Sequence, residues 1–209
     1  MRAALSSYYE KVGNRKPVNI DSELPFELPQ GWTWARLTSL CSYLHRGKSP
    51  KYSEERKYPV FAQKCNQPDG ITLEKVKFAD PGTYSRYEKE CMLRDHDIVV
   101  NSTGTGTLGR VGMFMSAYLG DYECIVPDSH VTTVRSALPE LSSVIYWFLK
   151  SEYGQSLIFS RQTGSTNQKE LPTKEIAKFP VPVPPFSEIE RIAARVNKSF
   201  RLLKIEKSD

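Results

Sequence analysis

The alternation of apolar and polar positions divides the chain into stretches with different periods. Residues 1–20 are mostly polar, carry Lys11, Arg15 and Lys16 and hold no period, which predicts a tail or an N-terminal helix that frays. The stretch Leu24-Pro25-Phe26-Glu27-Leu28-Pro29-Gln30-Gly31-Trp32-Thr33-Trp34 alternates prolines with large apolar groups, the pattern of an extended segment pinned to a core by its aromatics. From there to residue 136, short β-rich runs are separated by Gly, Pro and Asp: Tyr58-Pro59-Val60-Phe61, Asp97-Ile98-Val99-Val100-Asn101, Arg110-Val111-Gly112-Met113-Phe114, Cys124-Ile125-Val126 and His130-Val131-Thr132-Thr133-Val134. They predict a largely antiparallel sheet region.

The period then changes. Leu141, Val144, Ile145, Phe148 and Leu149 fall on one face of a helix, with Pro139 where a first turn tolerates it, and Leu157, Ile158 and Phe159 extend the helical region. The four prolines of Phe179-Pro180-Val181-Pro182-Val183-Pro184-Pro185 remove backbone donors and exclude helix or central strand, so a stiff extended connector is expected. Ser187 and Glu190 then have the spacing of a capping box, and Ile189, Ile192, Val196 and Leu203, broadened by Phe200, form an apolar seam at spacings close to seven. Such a helix of roughly 23 residues is about 35 Å long. A seam held off by a stiff connector predicts a partner helix rather than a fold back onto the same domain. The expected fold is mixed α/β (α+β): residues 1–20 as tail or N-terminal helix, 21–186 as a globular domain with a largely antiparallel sheet, and 187–209 as the start of a long amphipathic helix.

Composition narrows the classes. At 209 residues, 39% hydrophobic and 25% charged, the chain has the make-up of one folded domain, neither disordered nor membrane-embedded. No apolar run reaches the roughly 18 residues of a membrane span, and the opening residues lack the apolar stretch of a secretory signal, so a cytoplasmic protein is expected. Cys41, Cys65, Cys91 and Cys124 lie too far apart in sequence to form a zinc-organising pair, and they read as free buried thiols with no metal site. A net charge of +5 and a pI near 8.9 suit a polyanionic partner.

Three segments, in this order, resemble the DNA specificity (S) subunit family of type I restriction-modification systems. They are Leu28-Pro29-Gln30-Gly31-Trp32-Thr33-Trp34-Ala35-Arg36-Leu37, then Asp97-Ile98-Val99-Val100-Asn101-Ser102-Thr103-Gly104-Thr105-Gly106-Thr107-Leu108-Gly109-Arg110-Val111, and Gly164-Ser165-Thr166-Asn167-Gln168-Lys169-Glu170-Leu171 continuing through the prolines to Ser187-Glu188-Ile189-Glu190-Arg191-Ile192. The resemblance spans residues 22–209. It implies one target-recognition domain and the start of a spacer helix, a non-catalytic protein that reads half of a split target in double-stranded DNA. It implies as partners a methyltransferase (M) subunit, a restriction (R) subunit in the full complex, and a second S half or another copy joined through the spacer helix, with no membrane association. Two departures stand out: Ile189-Glu190 replaces the Glu-Gln common before Arg-Ile, and there is one recognition domain where the family usually has two. The chain is then either a half-size subunit that pairs with itself or a piece of a longer one.

The residues offer the corresponding chemistry, each with a structural alternative. In the loop from Asn101 to Arg110, three glycines allow close backbone approach and Ser102, Thr103 and Thr105 can donate to phosphate or base edges beside Arg110. The alternative is a Gly-rich hairpin that closes the fold. Ser165, Thr166, Asn167, Gln168 and Lys169 combine amides that suit adenine with a cation for guanine or phosphate. Capping of the next turn is the competing use. Arg46, Lys48 and Lys51 sit on a Gly/Pro-broken segment, as a phosphate clamp would, or as a solvated loop. Arg191, Arg195, Lys198 and Arg201 make a basic helix face that lies along DNA, against an M subunit or in solvent.

Catalysis finds little support in the motifs. No Gly-rich cofactor loop follows a βα unit, and neither Pro68-Asp69 nor Pro127-Asp128 continues into a nuclease motif, so no cofactor is expected. Asp95-His96-Asp97 reads as a polar turn ahead of a strand, and Asp128-Ser129-His130 as neighbours on a strand whose side chains diverge, unlike a triad. The remaining alternatives are a protein-interaction module and a stand-alone methyltransferase or nuclease.

Overall fold

Residues 7–165 and 169–205 are described by a computed structural model. The first described element is a hairpin, β1 (Tyr9–Glu10) with β2 (Val18–Asn19), where a tail or helix was expected. Two-residue strands carry no readable period, and side chains far along the chain hold this pair instead. The Arg36 guanidinium meets the Glu10 carboxylate at 2.7 Å and that of Glu23 at 2.8 Å. Those contacts hold the Glu10 carboxyl below its usual range, hydrogen bonding from Arg36 being the main cause.

β3 (Thr33–Arg36) and a 3-10 turn lead into β4 (Cys41–Arg46), followed by β5 (Tyr52–Ser53), β6 (Pro59–Phe61), β7 (Asn66–Gln67), β8 (Gly70–Ile71), β9 (Lys77–Ala79) and the short α1 (Pro81–Tyr84). After these come β10 (Ile98–Asn101), β11 (Val111–Met113), β12 (Val126–Pro127) and β13 (Val131–Ser136), then α2 (Leu141–Lys150), α3 (Glu152–Ser160), α4 (Thr173–Ile176), β14 (Pro180–Val183) and α5 (Phe186–Ile205). The larger sheet has the order β11-β10-β13-β4 and is antiparallel throughout. A smaller sheet, β12-β6-β9-β5, is antiparallel except where β12 runs along β6. The largely antiparallel pattern expected from the β-rich runs is therefore present.

Strand β10 is buried along its whole length, and its residues alternate between two cores as a pleated strand requires. Ile98 and Val100 join a cluster with Ile145, Phe148, Leu149 and Ile158 of the helices, while Val99 joins Phe61, Phe114 and Ile125 on the side of the smaller sheet. The helical stripe read from residues 141–149 is the buried face of α2. Each large aliphatic side chain fully buried in this way contributes about 1.5–3 kcal/mol.

The proline segment behaves differently from a free connector. β14 pairs with β3, Val181 opposite Ala35, and the Leu37 N–H donates to the Phe179 carbonyl. Pro180 and Pro182 alternate with Val181 and Val183, which keep their N–H groups, an arrangement a two-stranded ladder tolerates. Because this segment docks on the domain, the first turns of α5 come back with it. Ile189 is 3% exposed within the same core as Ile145 and Phe148, so its seam position is satisfied by the chain's own domain rather than by a partner helix. Ile192 and Val196 line a groove of about 660 Å³ shared with Phe26, Trp32, Val144 and Trp147. The helix begins at Phe186, one residue ahead of Ser187, which therefore stands inside the first turn instead of capping it. The side chains of Phe200 and Leu203 lie outside the described residues.

All four cysteines are free, with Cys65 and Cys91 buried; burial pushes the Cys65 thiol up to about 11 and the Cys41 thiol to about 12. Among the described residues no helix is long and apolar enough to cross a membrane.

Candidate nucleic-acid interface

Strand register gathers the loops singled out from sequence at one end of the larger sheet. Arg46 lies opposite Thr132 and Asn101 opposite Val131, so the C-terminal ends of β4 and β10 meet the N-terminal end of β13. Val100 faces Val111, which brings the start of β11 to the same end. Segments 47–51, 102–110 and 128–130 all leave the sheet there. Thr163 and residues 170–171 join them: Glu170 bridges to both Thr103 and Thr163, and the Leu171 N–H donates to the Ser102 carbonyl at 2.8 Å.

The 102–110 loop is braced from below and open above. The buried Asn66 amide donates to the carbonyls of Val99 at 3.2 Å and Arg110 at 3.0 Å, and Thr107 donates to Gln63 Oε1 at 2.8 Å. Gly104 has φ +103°, and a Cβ there would stand 2.3 Å from Gln63 Oε1, so this turn requires glycine. Ser102 is fully buried, its hydroxyl hydrogen-bonded to that of Thr132. It offers no surface to a ligand, which corrects its place among the expected DNA donors. Thr103 is half-buried with its hydroxyl 2.6 Å from His130 Nδ1, and Thr105 is exposed. Arg110 spends its guanidinium on Gln67 Oε1 at 3.0 Å and the Gly106 carbonyl at 3.3 Å, steadying the loop it ends. The base of this loop closes the hairpin, the structural alternative read from sequence, and its rim faces solvent.

Arg46 is not on a free loop. As the last residue of β4 it donates to the Ser129 carbonyl and pairs with the Glu170 carboxylate, tying the 128–130 turn to the 163–170 loop. Lys48 and Lys51 are exposed. Between them and β4, Gly47 passes so close to the chain that a Cβ would be 2.2 Å from the Pro127 carbonyl oxygen, which joins this segment to the start of the β13 turn. Ser165 and Lys169 are exposed, while Thr166, Asn167 and Gln168 lie outside the described residues.

Glu170 and His130 were missed as candidates because their role depends on contacts with Arg46 and Thr103 that no local spacing announces. Asp128-Ser129-His130 forms the turn before β13 rather than part of it. Ser129 pairs with the Ser49 hydroxyl at 2.7 Å, the His130 ring with Thr103, and Asp128 accepts from the His130 backbone at 2.8 Å, so the three do not act on one another as a triad. Asp95-His96-Asp97 also diverges, Asp95 holding Ser116 and Asp97 holding Arg135. Among the described residues no group of three or more His, Cys, Asp or Glu stands where it would hold a metal.

The fold and its loops define a small α+β module that presents one polar, cation-bearing edge. The chain belongs to the type I restriction modification DNA specificity domain family, whose profile matches residues 29–209. It is 24% identical over 203 residues to the type I restriction enzyme EcoEI specificity subunit of Escherichia coli, covering 90% of this chain and 31% of that protein. Among solved structures it is similar to a chain from work on the complex assembly and conformational transition of the type I R-M system (18% identity, 90% of this chain and 44% of that one, TM-score 0.64). It is also similar to the HsdS subunit from Thermoanaerobacter tengcongensis (17% identity, 89% and 46% covered, TM-score 0.58). The chain thus spans about a third of the curated relative and less than half of the solved ones.

Proposed function

We propose that this chain is a non-catalytic recognition module that reads one half of a bipartite DNA target and directs M and R subunits to it. The observation that carries the reading is the convergence, at one sheet end, of loops from four distant parts of the sequence, with Lys48, Lys51, Thr105, Ser165 and Lys169 exposed on their rims. A rigid base with exposed donors and cations suits both tasks of a DNA reader: phosphate contacts fix position, and side chains on the rim meet base edges. In this account Lys48 and Lys51 touch phosphate, Thr103 and Thr105 face the duplex, and residues 165–169 approach the bases. Arg46 and Arg110 hold the loops in place.

The second half of α5, with Val196, Phe200 and Leu203, is proposed as the spacer that meets a second S half or a second copy of the chain. The apolar groove along α2 and α5 favours a protein contact there. The test is co-expression with the cognate methyltransferase subunit and mapping of the adenines that become methylated. Methylation confined to a motif that changes when loop 163–170 is exchanged supports the reading. Methylation by the purified chain alone, or none in the assembled complex, removes it.

A further inference from the structure

The smaller sheet carries cations that the loop edge alone does not explain. Lys77 on β9 is exposed, and its ammonium lies 4.9 Å from the centre of the Tyr52 ring on the neighbouring β5. Lys48 stands 6.0 Å from the Tyr87 ring, whose hydroxyl donates to the Lys48 carbonyl at 3.0 Å. The Asp80 N–H donates to the Lys51 carbonyl at 2.8 Å, fixing the backbone just before β5. Among the described residues, none of Lys48, Lys51 and Lys77 forms an ion pair with a carboxylate.

These groups adjoin the loop edge. β12 of the smaller sheet runs directly into the 128–130 turn, and the Asp128 N–H donates to the Phe61 carbonyl of β6 at 3.0 Å. The Asp128 carboxyl, buried at 2% exposure, feels Arg46 and His130 on the loop side and Lys77 on the other, and it also bears on Tyr52 and Tyr87. The cationic edge therefore continues around Asp128 onto β5 and β9.

An aromatic ring beneath a lysine limits where the ammonium can go and reduces the ordering that a contact requires. In both pairs the lysine occupies a ring face on which an unstacked base would lie, so the arrangement suits phosphate rather than a stacked base of single-stranded nucleic acid. We propose that Lys77, seated on Tyr52, extends the Lys48–Lys51 clamp into a shoulder that contacts the phosphate backbone of duplex DNA beside the base-reading loops, without regard to sequence. The proposal rests on the duplex-binding reading given above.

The experiment is fluorescence anisotropy of the full 209-residue chain with a labelled random-sequence duplex over a range of NaCl concentrations. Lys77→Gln keeps the stem over the ring and removes only the charge; Lys77→Arg keeps the charge. Lys77→Gln is expected to weaken binding and to make the slope of log K against log salt shallower by about 0.9, one phosphate contact. Lys77→Arg should restore the slope, and Lys16→Ala, in the hairpin held to Arg36 before the start of β4, should leave it unchanged. If Lys77→Gln keeps the wild-type slope while Lys48→Ala or Lys169→Ala flattens it, the shoulder is wrong and the loop interface stands. If the unmodified chain ignores duplex at low salt, both fail together.

Discussion

The larger sheet carries an arginine at each end, and the two are used differently. Arg135, near the C-terminal end of β13, meets both Asp97 oxygens, at 2.8 and 2.7 Å, and the carbonyls of Glu90 and Met92, with its guanidinium over the Tyr43 ring. Its side chain is 14% exposed and that of Asp97 is 0% exposed, so the carboxylate is buried beneath a mostly covered guanidinium. Arg46, at the other end, pairs with a Glu170 carboxylate whose side chain is 45% exposed. Water can reach that pair, so its charges are screened. The same residue type is thus a buried pin at the closed end and a solvent-reached tie at the end where the loops gather.

The sharpest way to break this comparison is Arg135→Ala. Removing one partner of a buried pair leaves the Asp97 carboxylate without its counter-charge, which costs about 3–5 kcal/mol in chemical denaturation. Next in size is Ser102→Ala, expected to destabilise by about 1–3 kcal/mol because the Thr132 hydroxyl loses its buried partner, while low-salt DNA affinity of the folded fraction stays unchanged. Arg46→Ala should change stability by no more than about 1 kcal/mol, as partly exposed pairs do, yet weaken duplex binding measured by anisotropy, because the 163–170 loop loses its tie. A loss at Arg46 as large as that at Arg135 would erase the distinction between the two ends.

The smallest effect concerns pH. Burial raises the Asp128 carboxyl above its ordinary 3.8, with the His130 N–H acting in the opposite direction. Stability tied to the neutral form is present below 3.8 and is lost as pH rises through the raised value. Asp128→Asn still accepts from His130 and stays neutral, so its melting temperature should exceed that of the unmodified chain at neutral pH and approach it in acid.

The same contrast between closed and open ends explains what could be read from the sequence. α2 was legible because Leu141, Ile145, Phe148 and Leu149 repeat at helical spacing and all face one core. β10 was legible as an apolar run ahead of a Gly-rich turn. The loops of the candidate interface were recognisable as exposed, donor-rich segments, although the burial of Ser102 was not, since it depends on Thr132 across the sheet. The pairing of Arg46 with Glu170 escaped for the same reason: the two are 124 residues apart. Prolines suggested separation at 180–185, whereas β3 supplied a ladder that accepts them, and α5 consequently packs its first turns on the domain.

Hydrogen exchange of the chain with and without duplex DNA tests most directly which end of the sheet meets the ligand. The account predicts added protection in segments 46–51, 101–110 and 169–171, with none at 89–97 around the Arg135 pin. Protection confined to residues 89–97, or to the groove between α2 and α5, would contradict it.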